Sequence, residues 1–187
     1  MEIFKNIKVN DYKKAVENLA INNSELIFNN SSPVHASIVL SSMIKHSDSE
    51  FRIYDDNLSG DIADLNEDFY TNLSEFIESN KTLKIVIDSN HDDYKDTKIY
   101  KQLISYKNSH PQNVFIKISN DSFKETINKV FDKNVNFAIG DKKSFRIEDI
   151  MQTETGLRKA ICCFNNSSMS KKLVSSFDLG FQTCQSI

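Results

Sequence analysis

The residues that could do chemistry are concentrated in one short segment, from Asn134 to Asp141. Apolar residues alternate there with small or polar ones, which is the period of a half-buried strand, and a second alternating segment follows a Gly-Asp turn. Residues 134–148 therefore predict a β-hairpin. Its polar side chains include two amides, Asn134 and Asn136, and the Asp141 carboxylate. A carboxylate can act as an acid, a base or a metal ligand, whereas an amide nitrogen is neither a base nor a nucleophile.

A third apolar strand and a helix follow the hairpin. The strand is predicted from Lys159 to Phe164, and Asn165 and Asn166 directly after it are residues that favour helix caps. The next apolar residues recur at the spacing of one helical face. The segment thus predicts a hairpin, a strand, a cap and a helix, with Asp141 ending the first strand and Asn165 following the third.

The elements that must position this segment alternate between helix and strand. Ser32 is a favourable cap and Pro33 a favourable first residue for a buried helix that ends near His46. The elements after it are predicted at 51–54 (strand), 68–79 (helix), 83–87 (strand), 93–106 (helix), 114–118 (strand) and 123–131 (helix). This order predicts an α/β fold with a mixed, mostly parallel sheet flanked by helices.

No internal repeat, low-complexity tract or linker divides residues 33–187, which predict one domain. Residues 1–32 form an N-terminal leader. It contains a helix that Asn10 or Asp11 could cap and a short strand at 25–28. The leader could cap the domain or serve a partner.

The hairpin, strand, cap and helix resemble the C-terminal half of a phospholipase D-like module. The family motif is His-x-Lys-x4-Asp, followed by a strand that ends in a small residue and an Asn. Counted back from Asp141, Asn136 occupies the lysine position and Asn134 the histidine position, and Asn165 stands for the later asparagine. In the family, the histidine attacks phosphorus and the lysine neutralises phosphate charge. The resemblance therefore implies a degenerate module without a catalytic residue at these four positions.

The resemblance covers roughly residues 33–180, one module rather than two. Family members with a single module pair two copies, so that the motifs face each other across a two-fold axis, and the resemblance implies a homodimer. Our leading hypothesis is a catalytically degenerate phospholipase D-like domain that acts as a protein-interaction or regulatory subunit beside a protein partner. A bacterial defence or nucleic-acid-processing system is the context that the family suggests, and we expect neither a cofactor nor a metal.

Two alternatives remain open. The chain could be a phosphodiesterase or nuclease with a non-standard nucleophile, such as His91 in the loop after a strand, or with one borrowed from a partner. It could also be a sensor for a small ligand or for nucleic acid. The other histidines are His35 in the first turn of a helix, His46 at the end of that helix, and His110 before a proline.

Composition limits the choice of function. With 187 residues, of which 39% are hydrophobic and 26% charged, the chain is long enough to bury a core without disulfides or metals. The net charge of -3 gives a nucleic-acid role no support, although a local basic patch stays open. Adjacent Cys162 and Cys163 form neither a disulfide framework nor a metal-binding spacing. Without a signal peptide or an apolar run of membrane-spanning length, we expect a cytoplasmic protein and no membrane partner.

Two further groups of charged residues are candidates. Asp55, Asp56 and Asp88 follow predicted strands, where open α/β sheets bind ligands and where carboxylates could hold a divalent metal. Turn-forming residues also follow strands, and this structural interpretation is favoured. A modest anion-binding edge is the second candidate, formed by Lys142, Lys143, Arg146, Arg158 and Lys159. Charges near a hairpin are usually solvated, so a plain surface is favoured there too.

Overall fold

Helices and strands alternate along the part of the chain that the computed structural model describes, residues 8–30, 32–56, 58–88, 92–132, 135–149 and 159–187. The helices are, in chain order, α1 (Val9–Ile21), α2 (Pro33–Lys45), α3 (Glu67–Glu78), α4 (Lys98–Ser109), α5 (Asp121–Asn128) and α6 (Ser167–Phe181). The strands are β1 (Phe28–Asn30), β2 (Glu50–Asp55), β3 (Thr82–Ile87), β4 (Val114–Ile118), β5 (Val135–Gly140), β6 (Ser144–Asp149), β7 (Ala160–Cys163) and β8 (Gln185–Ser186). Short 3-10 helices at Ala63–Leu65 and Asp92–Asp96 precede α3 and α4.

One mixed sheet joins these strands in the order β1-β7-β6-β5-β2-β3-β4-β8. The central strands β2, β3 and β4 are parallel because a helix returns the chain to the same edge before each of them. The neighbours on either side pair in the antiparallel direction. The predicted mixed sheet between helices is confirmed. The sheet is not mostly parallel, as predicted: two of the seven pairings between the described strands are parallel, because β5, β6 and β7 pair in the antiparallel direction as well as the edge strands β1 and β8.

Helices cover both faces of the sheet, each over its own apolar core. Helices α1 to α4 pack on one face, around Phe51 and Leu83, and α5 and α6 pack on the other, around Phe137 and Phe177. The phenylalanines buried in these cores include Phe123, Phe137, Phe145 and Phe164. Phe131 is partly buried against the second core. No helix in the described ranges is long and apolar enough to cross a membrane.

Two predicted helix starts are confirmed. The Ser32 hydroxyl accepts a hydrogen bond from the His35 backbone N–H at 3.2 Å, and Pro33 is the first residue of α2. Asn166 caps α6 in the same way, because its side-chain oxygen accepts from the Met169 N–H at 3.0 Å. These caps satisfy donors that the first helical turn leaves unpaired, and they fix where each helix begins.

Two other helix starts were predicted wrongly. Helix α4 begins at Lys98 rather than at residue 93, because the Thr97 hydroxyl caps it and a 3-10 helix precedes it. Helix α1 begins at Val9 after Lys8, and no side chain caps it, so neither Asn10 nor Asp11 has the predicted role. The α1 start is decided by packing of its apolar face, which a capping pattern does not reveal.

The leader packs into the same core as the rest of the sheet. Tyr12, Val16 and Ala20 of α1 are buried. Strand β1 lies at Phe28–Asn30 instead of 25–28, because it pairs with β7 in the register that places Phe28 opposite Cys162. The domain boundary after residue 32 stays a prediction, but the described leader has a structural role as a helix and an edge strand.

Candidate functional site at the carboxyl ends of the parallel strands

Asn136 lies at the sheet edge where the parallel strands end. Strand β5 is antiparallel to β2, so the start of β5 lies beside the end of β2, with Phe137 opposite Tyr54. The Asn136 side-chain oxygen accepts from the Asp56 backbone N–H at 3.0 Å, and its amide nitrogen donates to the Asp56 carboxylate at 2.9 Å. Asn136 is buried, and both ends of its amide are occupied within the chain. It joins β5 to the segment after β2. Asn134 lies outside the described residues.

Asp141 lies at the opposite end of β5 and has a structural role. Its carboxylate accepts hydrogen bonds from the backbone N–H groups of Asp48, Ser49 and Glu50 at 2.9 to 3.1 Å, and from the Ser49 hydroxyl at 2.9 Å. Burial pushes the pKa of Asp141 upward, but these hydrogen bonds outweigh it and hold the pKa below its ordinary value. The residue fastens the β5–β6 turn to the segment that enters β2.

Asn165 also lies at the turn end of the sheet. Strand β7 is antiparallel to β6, so its last residues return to the start of β6, and the Asn166 N–H donates to the Lys143 carbonyl at 2.7 Å. Asn136 is five residues from Asp141 along β5, or roughly 16 Å at about 3.3 Å per residue. The structure therefore brings Asp141 and Asn165 to one end and Asn136 to the other. Among the described motif positions there is no shared cleft.

Glu148 occupies the position that faces Asn136 across the hairpin. The two residues are opposite each other in the β5–β6 register, and Glu148 is 2% exposed. Arg146 donates through Nη1 to the Glu148 carboxylate at 3.1 Å and through Nε to the side-chain oxygen of Asn30 at 3.2 Å. Sequence reasoning missed Glu148 and Asn30, although Arg146 and Glu148 at alternate strand positions signal a shared face.

The predicted anion-binding edge is not assembled from the described basic residues. Arg146 is 3% exposed and neutralised by Glu148, because its strand position points into the sheet face and not towards the turn. Lys143 pairs with Asp48 at 3.1 Å. Lys142 and Lys159 are exposed, and Arg158 lies outside the described residues. The described lysines at the predicted edge are therefore separate surface residues and do not form a basic patch.

The three aspartates predicted at strand ends do lie at the same edge as Asn136, and each serves the fold. Asp88 accepts from the hydroxyls of Tyr54 at 3.2 Å and Ser119 at 2.8 Å. It also pairs with Lys124 at 2.7 Å. Burial first, and then the nearby Asp88 carboxylate, raise the pKa of Tyr54 far above its ordinary value, so this phenol is not poised as a base.

Asp55 and Asp56 complete the edge. The Asp55 carboxylate accepts from the Leu58 N–H at 2.6 Å, and Asp56 contacts Asn136 as described. Within the described residues, no group of three carboxylate, imidazole or thiolate side chains is arranged to hold a metal ion. The turn-forming interpretation therefore accounts for these aspartates.

The described histidines do not supply a nucleophile to this edge. His46 and His110 lie at the C-terminal ends of α2 and α4, beside the starts of the strands that follow. His35 stacks on the Tyr12 ring with the centroids 3.8 Å apart, and burial lowers its pKa, so the neutral ring is favoured. His91 lies outside the described residues.

Neither a family model nor a curated protein sequence matches this chain. Solved structures do. Nuc from Salmonella typhimurium, a phospholipase D family member, matches over 87% of this chain and 97% of its own, with a TM-score of 0.59 and 12% identity. The chain has a phospholipase D-like fold. NucT from Helicobacter pylori agrees, over 87% of this chain and 100% of its own, with a TM-score of 0.56 and 12% identity.

A third solved structure with a similar fold belongs to a protein described as binding DNA. TrmBL2, an archaeal chromatin protein, matches over 95% of this chain with a TM-score of 0.62 and 10% identity. The chain spans 62% of the length of TrmBL2. At such low identity, these likenesses establish the fold and leave the function of this chain to its own residues.

Proposed function

We propose that the chain is a catalytically inactive phospholipase D-like domain that acts as an interaction or regulatory subunit. The observation that carries the proposal is the state of Asn136, which occupies the position of the family lysine by sequence count. Its amide is buried, and both its oxygen and its nitrogen are hydrogen-bonded to Asp56. A transition-state cation is therefore replaced by a neutral group with a structural task.

The residue at the position of the family histidine supports the same proposal. Asn134 stands where the family has its nucleophilic histidine. An amide nitrogen cannot attack phosphorus, because its lone pair is delocalised into the carbonyl. Arg146, a cation on the adjacent strand β6, is already paired with the Glu148 carboxylate, so it is not free to neutralise a phosphodiester anion at this edge.

A binding role is compatible with a phospholipase D-like fold that no longer hydrolyses phosphodiesters. TrmBL2 shares the fold and is described as a DNA-binding chromatin protein, which supports a binding use of this architecture. For this chain we favour a protein partner, because the predicted basic edge is not assembled. By analogy with the family, such a subunit would serve a defence or nucleic-acid-processing assembly.

Hydrolysis assays test whether the chain lacks phosphodiesterase activity. The purified chain is incubated with bis(p-nitrophenyl) phosphate and with plasmid DNA, beside a His91→Ala variant. We expect no product above the buffer rate from either protein. Turnover by the wild type contradicts the proposal, and turnover that His91→Ala abolishes would identify a replacement nucleophile.

We also propose a homodimer, as in single-module members of the family. Sedimentation equilibrium measures the assembly directly, and we expect the mass of two chains at micromolar concentration. A single-chain mass over the whole accessible concentration range would contradict this part of the proposal without restoring catalysis.

A further inference from the structure

A polar groove of about 740 Å³ lies between α1, α2 and α3, and none of the described motif positions lines it. Helix α2 contacts both α1 and α3 and forms the floor with Ile38, Ser41 and Ser42. Because two floor residues are serines, a ligand backbone can approach α2 closely. The walls are the outer face of α1 and the first turns of α3.

Ion pairs hold the walls of the groove in place. Lys13 of α1 pairs with Asp68 of α3, across the groove. Glu17 of α1 pairs with Lys45 of α2 at 2.6 Å and lies 2.9 Å from the His46 ring. Both carboxylates that line the groove are therefore already bound by basic groups of the chain.

One stripe of α1 remains unoccupied in the groove. Asn10, Lys14 and Asn18 are spaced four residues apart, share one helical face and are exposed. No ion pair or side-chain hydrogen bond engages Lys14 among the described residues. The groove thus offers one unpaired ammonium group between two side-chain amides, and its three lysines outnumber its two carboxylates.

We propose that this groove binds a short, extended, acidic segment of a partner protein. Lys14 would receive a carboxylate, and the flanking amides of Asn10 and Asn18 would pair with peptide N–H and C=O groups. The stripe spans about 12 Å at about 1.5 Å per helical residue. About four extended residues cover that distance at roughly 3.3 Å each.

The lining chemistry favours a peptide over nucleic acid. None of the described residues that line the groove is aromatic, so these residues offer bases no ring on which to stack. Glu17 and Asp68 would lie close to a regular row of phosphates, whereas a peptide can place its carboxylates away from them. Helix α1 would then both cap the sheet through Tyr12 and serve a partner through its outer face.

Peptide binding in the groove is independent of the proposed loss of catalysis, so either proposal can be wrong without the other. Hydrolysis assays report on the motif edge, whereas peptide binding reports on the α1 stripe. A chain that hydrolyses diesters and still binds an acidic peptide would overturn only the proposed inactivity.

Fluorescence anisotropy with a labelled oligoglutamate peptide tests the inference on the full chain. Lys14→Glu and Asn18→Asp alter exposed side chains that make no hydrogen bond or ion pair in the described residues, so circular dichroism should show an unchanged fold. Lys171→Glu, an exposed helical lysine on α6 at the opposite face, is the matched control. We expect Lys14→Glu to weaken binding by about tenfold or more and Lys171→Glu to leave it unchanged.

Salt and a competing ligand complete the test. Binding should weaken as sodium chloride increases, because exposed charges are screened. The inference is overturned if the wild type does not bind oligoglutamate, or if Lys14→Glu and Lys171→Glu bind it equally. It is also overturned if oligothymidylate binds in place of the peptide with the same dependence on Lys14.

Discussion

The two ends of β5 differ in the contacts that their polar side chains make. At the turn end, the Asp141 carboxylate accepts hydrogen bonds from three consecutive backbone N–H groups. At the other end, the Asn136 side chain bonds to Asp56. In the alignment that we propose, the residue that matches the family motif has a folding task, and the positions that differ are those that the family chemistry requires.

Removing the Asp141 carboxylate should have the largest effect on the stability of the fold. Asp141→Ala leaves the N–H groups of Asp48, Ser49 and Glu50 without their acceptor, and alanine disfavours the positive φ of 52° at this position. We expect the free energy of unfolding, measured by urea denaturation, to fall by about 3 kcal/mol.

Asp141→Asn is the matched control for this prediction. Asparagine tolerates a positive φ and keeps one acceptor oxygen, so it should lose less stability than alanine. A loss under about 0.5 kcal/mol for Asp141→Ala would show that the turn end is not fastened by this carboxylate.

Asn136→Ala should have a smaller effect and would sharpen the contrast between the two ends. It removes two hydrogen bonds with Asp56, against the four that the Asp141 carboxylate accepts, so the expected loss is about 1 to 2 kcal/mol. Urea denaturation beside Asn165→Ala, a half-buried residue outside this contact, measures the difference. Equal losses for Asn136→Ala and Asp141→Ala would break the comparison.

Acid should selectively weaken the hydrogen bonds that the Asp141 carboxylate accepts at the turn end of β5. The pKa of Asp141 is lower in the folded chain than the unfolded value of about 3.9, so its stabilisation is fully present above that value. It is lost as the pH falls through the lower folded pKa. The stability of wild type should therefore drop more steeply than that of Asp141→Asn when unfolding is followed below about pH 4. Parallel curves would contradict the assignment.

Restoring the family residues should have the smallest effect on activity. The double variant Asn134→His with Asn136→Lys regains the side chains, but a lysine cannot accept from the Asp56 N–H, and its ammonium group would be held by the Asp56 carboxylate. We expect no hydrolysis of bis(p-nitrophenyl) phosphate above the wild-type level. Rapid turnover by this variant would show that the edge is otherwise intact.

The sequence predicts the elements well where periodicity and caps agree. The hairpin, the strands around Ile53 and Ile85, and the helix starts at Pro33 and Ser167 all carry local signals in consecutive residues. The start of α4 has a local signal, the Thr97 cap, that sequence reasoning missed. The start of α1 and the short strand β8 depend on packing between distant segments, which local patterns do not contain.

The site was harder to predict because strand direction decides which residues meet. Each additional antiparallel strand reverses the end at which the chain emerges. Strand β7 therefore carries Asn165 to the Asp141 end and away from Asn136, which the spacing of these residues along the sequence does not reveal. Glu148, whose position is set by register, took the place across from Asn136.

Trapping of a covalent intermediate tests the central claim of lost chemistry most directly. The chain is mixed with a radiolabelled phosphodiester, quenched rapidly and separated from free label under denaturing conditions. With asparagine at both the nucleophile and the lysine positions, we predict that no label stays on the protein. A labelled residue, at His91 or elsewhere, would contradict the account and show that this fold still performs phosphoryl transfer.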